Sequence, residues 1–334
     1  MIFDGHADLL YDVTRRRLAG ERRMLENHHL DRMRRGQIEG VTLALWTRDE
    51  ADFWQRWGAA TDASRTKLML ECSKAEFAES PWLAVVRTAA EAEAARAEGK
   101  IYGFISVEGM APMGEDTRWL DRYADFGARM AMFTWNEENA LATGAGGDPQ
   151  KGLTELGKET LRRMEALNMI VDVSHLNDGG FRDVMRLTNR PIMASHSNCR
   201  ALCDVRRNLT DDQLRAIRDT GGVVGVNVYH NFVHAEAEKQ TVEMLAQHAA
   251  RMMDIMGVEH VACGFDFCEY FGPGSEGAVG MEDCSHSANF FDCLSRMGAS
   301  RKELDMIARE NLLRFLRYVH GKRRTLCPSL FALK

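Results

Sequence analysis

The stretch GLTELGKETLRRMEALNMIVDVSH, residues 152–175, runs from a helical pattern directly into a strand pattern. Leu153, Leu156, Leu161, Met164 and Leu167 recur every three to five residues, which places them on one apolar stripe of a helix. The MIVDVSH that follows is short and rich in β-branched residues, as a buried strand requires. The same alternation extends outward. Strand-like runs precede it at 1–7 (MIFDGHA), 40–46 (GVTLALW), 101–109 (IYGFISVEG) and 130–136 (MAMFTWN), and follow it at 191–196 (PIMASH), 222–229 (GVVGVNVY) and 260–267 (HVACGFDF). Helix starts lie between and after the later runs, with Thr210 and Gln213, then Ser300 and Glu303 beyond the last run, in capping-box spacing, and Gly221 as a stop. Eight strands alternating with helices predict a parallel sheet covered on both faces. In 334 residues, with no GxGxxG after the first strand, eight units favour an α/β fold of the (β/α)8 TIM-like barrel type over an open doubly wound sheet. The chain reads as one catalytic domain over 1–334. Segments 47–99 and 229–258 exceed what a crossover needs and are expected to carry inserted helices or lids at the barrel mouth.

Bulk properties exclude several classes of function. A net charge of −6 gives no general attraction to nucleic acid or anionic lipid. No apolar run approaches the roughly 20 residues of a membrane span, and the first residues lack the pattern of a cleavable signal. The tail LCPSLFALK carries no lipidation motif, so a cytoplasmic protein without a membrane partner is expected. The 8 cysteines are scattered without a CxxC pair, which predicts reduced thiols. GAGGDPQKG (144–152) lacks the GK[ST] of a phosphate loop and reads as a βα loop. His28 and His29, beside a basic segment, read as exposed.

The polar residues at the predicted strand ends are more informative. His6 and Asp8, two apart on the first strand, point the same way. Glu108, His175, His196 and Asp266 end the third, fifth, sixth and eighth strands. Any one of these histidines alone is more often a hydrogen-bonded structural residue. Barrel enzymes, however, assemble their sites on this rim, and a joint set of three imidazoles and three carboxylates suits zinc or a similar divalent ion. A carboxylate such as Glu108 can bridge two ions.

The stretches DGHADLL, SVEG, VDVSH, ASHSNCRALCDVRRNLTDDQLRAI and GFDF, in this order from residue 4 to about 270, resemble the renal (membrane) dipeptidase family of zinc metallopeptidases. The resemblance implies two zinc ions, with His6 and Asp8 on one, His175 and His196 on the other, and Glu108 bridging them. It implies that Arg207 holds the terminal carboxylate of a dipeptide, a role the guanidinium fork fits. Asp266 would transfer a proton to the departing amine while a hydroxide generated between the cations attacks the amide carbonyl. Family members are often homodimers, and some accept a D-residue at the C-terminal position, which extends the expected substrates to L,D-dipeptides. Where relatives place a substrate-binding histidine after the fourth strand, this chain has Trp135 and Asn136. These can donate hydrogen bonds to substrate but cannot carry an imidazolium charge. Cys268, after Asp266, reads as an uncharged pocket wall. The alternative activity is hydrolysis of a non-peptide amide, lactone or N-acyl amino acid on the same barrel. A metal-binding scaffold without catalysis is disfavoured by the intact ligand set with Asp266.

Overall fold

The computed structural model describes residues 1–47 and 50–321. Cys327 and the LCPSLFALK tail lie outside the described residues. The described residues hold nine strands: β1 (Ile2–Ala7), β2 (Ile38–Leu45), β3 (Leu83–Val85), β4 (Ile101–Val107), β5 (Ala128–Met132), β6 (Ile170–Asp172), β7 (Met193–Ala194), β8 (Val223–Val226) and β9 (Val261–Cys263). All pair in parallel: eight follow the order β1-β2-β4-β5-β6-β7-β8-β9 and β3 pairs with β4 off this path, and flanking helices cover them, a nearly closed barrel of the (β/α)8 type.

The seam between β1 and β9 is closed by side chain and loop. Asp4 Oδ1 accepts the Phe265 N–H at 2.8 Å, and the Asp266 N–H donates to the His6 carbonyl at 3.3 Å. Burial pushes the Asp4 carboxyl up to about 7. Gly264, just past β9, permits a close approach to the end of β7: a Cβ at this position would lie 1.6 Å from the Ser195 carbonyl oxygen. Below the strand C-termini, Phe3, Phe104, Met130, Ile170, Met193, Val223 and Ala262 share one buried cluster with Leu312, Leu313, Phe315 and Leu316 of the helix Asn311–Gly321. The strands thus meet in a packed interior and not a channel.

Each of the eight predicted strand runs overlaps one observed strand, with β2 and β5 each beginning two residues before the predicted run. β3 was not foreseen: it is three residues long and half exposed, too short for a periodic signal. It pairs with the first half of β4 (Leu83 beside Ile101), while β5 pairs with the second half (Val107 beside Ala131). The rest of 47–99 holds the helices Ala51–Arg56, Asp62–Ala78 and Ala89–Ala97, and 229–258 is dominated by the helix Val242–Met256. The quoted helix spans Glu155–Ala166, with the Thr154 hydroxyl accepting the Gly157 N–H and with Leu161 and Met164 buried. Leu167 falls beyond its last turn and is exposed. Both predicted capping boxes form, at Thr210/Gln213 and Ser300/Glu303.

His29 corrects an expectation. It is buried, with Nε2 2.9 Å from Asp12 Oδ2, because Asp12, also gripped by Arg16, offers a polar partner inside the fold. The seven described cysteines are free thiols. Among the described residues, no helix is long and apolar enough to cross a membrane.

Candidate metal centre

Strand ends bring the six predicted residues together. His6 belongs to β1 and Asp8 follows it; Glu108 follows β4; His175, His196 and Asp266 lie three, two and three residues beyond β6, β7 and β9. Two of them occupy left-handed backbone, His175 at φ +66° and Asp266 at φ +59°. Such strain in non-glycine residues persists where the surroundings hold it. Asp172, the last residue of β6, does part of that holding: its Oδ1 accepts the Ser174 N–H at 3.0 Å and the Ser195 N–H at 3.1 Å, tying the loops of His175 and His196 to one carboxylate.

The two oxygens of Glu108 face opposite ways. Oε2 lies 2.9 Å from His6 Nε2, which is 3.6 Å from Asp8 Oδ1 and 3.9 Å from Asp266 Oδ1. Oε1 lies 2.9 Å from His175 Nε2 and 4.0 Å from His196 Nε2, and the two Nε2 atoms are 2.8 Å apart. His6, Asp8, Glu108, His175 and His196 are all buried. Two groups, His6/Glu108/His196 and His6/Asp8/Asp266, have ligand atoms close enough to hold an ion.

The donor set fits divalent cations. His6 Nε2, Asp8 Oδ1 and Glu108 Oε2 are buried and make no hydrogen bond, a costly condition for polar atoms that nothing else satisfies. His175 Nδ1 must donate to Asn136 Oδ1, 2.8 Å away, which leaves Nε2 as a lone pair. His196 Nδ1 is held 2.7 Å from Ser195 Oγ, turning its Nε2 to the same point. One shared proton can satisfy the facing imidazoles, but not the orphaned atoms around them.

Electrostatics agree. Burial pushes His175 and His196 well below the ordinary histidine range, reinforced by the nearby charges of Arg207 and His6, so both are neutral donors. Burial and the Asp8 charge push Glu108 well up. Burial opposes a charge on His6, yet Glu108 and Asp8 together hold its proton far more tightly than usual. Carboxylates crowded this closely lack a counter-charge that a cation would supply.

Asp266 is raised to about 6, by burial first and by the Asp8 charge, against the pull of His6 and Arg207. Its Oδ2 accepts from Asn227 Nδ2 at 3.0 Å, and the Cys268 thiol reaches Oδ1 at 3.5 Å. Burial keeps that thiol protonated, in line with an uncharged wall. Arg207 is 8% exposed and lowered to about 10 by burial. It donates to the His196 carbonyl at 3.1 Å and Ser197 Oγ at 3.4 Å and lies over the Phe232 ring, while its Nε has no partner.

Trp135 stands 6.0 Å from the His175 ring and 5.4 Å from Trp46, between ring centroids, and lines a cavity of about 870 Å³ together with Glu108. Asn136, expected at the substrate, has its oxygen on His175. Sequence reasoning missed Ser195, Asn227 and Trp46. Asn227 and Trp46 directly follow β8 and β2, so the rim rule applied to asparagine and tryptophan would have found them. Ser195 directly follows β7 and is legible by the same rule.

Comparison with known proteins supports the same reading. The pattern described as membrane dipeptidase (peptidase family M19) matches residues 1–327. A Klebsiella pneumoniae protein named for its place in the pqqA 5′ region is 34% identical over 242 residues, 70% of this chain and 87% of that protein. An uncharacterized dipeptidase of Schizosaccharomyces pombe is 32% identical over 225 residues, 66% of this chain; the match spans about half of that longer protein, 53%. Among solved structures, dipeptidase AC, a metallo peptidase of family M19, superposes with a TM-score of 0.83 at 27% identity, covering 96% of this chain and 99% of that one. A metallo peptidase from Rhodobacter sphaeroides liganded with a phosphinate mimic of the dipeptide L-Ala-D-Ala gives 0.82 at 26% identity, covering 95% and 98%.

Proposed function

The chain belongs to the membrane dipeptidase family, peptidase family M19, and from that premise we propose that it hydrolyses the peptide bond of free dipeptides, L,D-dipeptides included, with two zinc ions. His6 and Asp8 would hold one ion, His175 and His196 the other, and Glu108 both. The observation that carries this is the opposed pair of Glu108 oxygens, each 2.9 Å from a different histidine Nε2, amid buried atoms without hydrogen bonds. Zinc, when bound, supplies a water nucleophile of lowered pKa and polarises the carbonyl to be attacked.

The chain's own residues do the rest. Arg207 pairs its buried guanidinium with the terminal carboxylate, which selects free dipeptides and sets the register of the peptide bond. Asp266, held by Asn227, takes a proton from the attacking water and delivers it to the departing amine nitrogen. Asn136 and Ser195 fix the ring orientations of His175 and His196. Trp46 and Trp135 shield one side of the site from water. A cytoplasmic location belongs to the same proposal, supported by the free state of the described cysteines.

The test is hydrolysis of an L,L- and L,D-dipeptide panel by purified protein, with metal content measured on the same sample and chelated protein as control. Metal-dependent cleavage of free dipeptides is expected. No cleavage at two metals per chain would overturn the dipeptidase reading and favour a non-peptide amide or lactone.

A further inference from the structure

Asp266 and Arg207 reach the site from different loops, the first beyond β9 and the second beyond β7. Three buried asparagines link them: Asn198, Asn208 and Asn227, each 1% exposed or less.

One branch of this network leads to Asp266. Asn227 Oδ1 accepts the Tyr229 N–H at 2.7 Å, so Nδ2 is the end that donates to Asp266 Oδ2 at 3.0 Å. Asn198 grips both sides of the Asn227 backbone: its Oδ1 accepts the Asn227 N–H at 3.0 Å and its Nδ2 donates to the Asn227 carbonyl at 2.8 Å. Nδ2 also donates to the Phe232 carbonyl at 3.3 Å. A reversed Asn198 amide would set its oxygen against two carbonyls, so this orientation is fixed.

The other branch leads to Arg207. The Asn198 N–H donates to Asn208 Oδ1 at 3.3 Å, and the Asn198 carbonyl accepts the Leu209 N–H at 2.8 Å, which holds the chain directly after Arg207. Asn208 Nδ2 donates to the Cys203 and Phe232 carbonyls, both at 2.9 Å. The Arg207 guanidinium lies over the Phe232 ring, 5.2 Å from its centre. Asn198 stands where the two branches meet. Buried amides bonded in this way make a stiff frame, since any shift leaves a donor or acceptor without a partner.

We propose that Asn198 is a positioning residue that sets carboxylate recognition and proton transfer in one register: through Asn227 it aims Asp266, and through Asn208 and Phe232 it seats Arg207. This rests on the roles proposed above for Arg207 and Asp266. A dipeptide held at Arg207 then presents its scissile nitrogen to Asp266 without a separate search by two loops.

The test measures kcat and KM for L-Ala-D-Ala and L-Ala-L-Ala with the metal-loaded protein and three variants. Metal content is read on each sample, and the assay runs well below each thermal midpoint so that unfolding does not enter. Asn208→Ala cuts the branch to Arg207 and should raise KM about tenfold with a much smaller change in kcat. Asn227→Ala removes the bond to Asp266 and should lower kcat about tenfold with a much smaller change in KM. Asn198→Ala should do both, lowering kcat/KM about 100-fold at unchanged metal content. Adding Asn227→Ala to it should lower kcat by less than the product of the single effects, because both act on Asp266 along one path. Parent values in Asn198→Ala overturn this inference alone, and so does its loss of metal, which would assign Asn198 to the loop of His196 instead. If Asn198→Ala does not fold, the other two variants decide: a change in the same constant by both overturns the two-branch frame. Failure of the parent protein to cleave either dipeptide at two metals per chain overturns the dipeptidase reading beneath it.

Discussion

Replacing Arg207 with methionine separates its role in binding from its cost to folding. The guanidinium is buried, and burial lowers it from the ordinary arginine range to about 10. Folding therefore weakens its hold on a proton, so the folded state is penalised in full at every pH below about 10, and the penalty fades only as the pH rises toward the ordinary arginine range. That difference corresponds to roughly 3 kcal/mol. The bonds to the His196 carbonyl and Ser197 Oγ and the contact with Phe232 return about 2 kcal/mol. Arg207→Met, similar in length and uncharged, should thus leave the metal-free protein about 1 kcal/mol more stable at pH 7, read from the urea midpoint at unchanged slope. Activity should move the opposite way. Two charge-assisted bonds to a carboxylate are worth about 3 kcal/mol together, so kcat/KM for a free dipeptide should fall on the order of 100-fold. The C-terminally amidated analogue should lose much less, narrowing the free-to-amidated ratio. Lysine should rescue little, since it lacks the fork. An unchanged ratio would refute carboxylate recognition, and a loss of more than about 2 kcal/mol of stability would show that Arg207 is held for structure.

Asp266→Asn should keep two metals per chain and lower kcat by roughly 100-fold to 10,000-fold, and normal turnover would remove it from proton transfer. Glu108→Ala should reduce metal content, measured by elemental analysis after gel filtration, because both ions of the proposed pair would lose a ligand; full two-metal content would contradict bridging. Asn136→Ala should weaken metal affinity about 10-fold to 100-fold in competition with a chromophoric chelator, and an affinity equal to the parent's would show that His175 needs no orienting partner. Chelation should lower the thermal midpoint, since it returns crowded carboxylates and facing imidazoles to an uncompensated state; a midpoint indifferent to metal would argue that the cluster holds none.

Much of this was legible in the chain because barrel strands are written locally. MIVDVSH and HVACGFDF are runs whose period and boundaries need no distant partner to be read. The same reading placed His6, Asp8, Glu108, His175, His196 and Asp266 near one rim, and they do converge there. β3 escaped because three half-exposed residues owe their strand state to β4 alone. His29 was misjudged because its burial depends on Asp12, seventeen residues earlier on another helix.

Pattern and residue type were enough to determine a parallel barrel, the end of it that carries chemistry, and a donor set suited to divalent metal. Only the tertiary structure decided that Glu108 turns one oxygen to His6 and the other to His175, that Asn136 serves His175, and that Asn227 holds Asp266. It also set two indoles beside one cavity. The physical reason is range: hydrophobic period and turn chemistry act over a few residues, whereas ligand orientation and the field of a pocket are sums over groups that only the closed barrel brings within a few ångströms of one another.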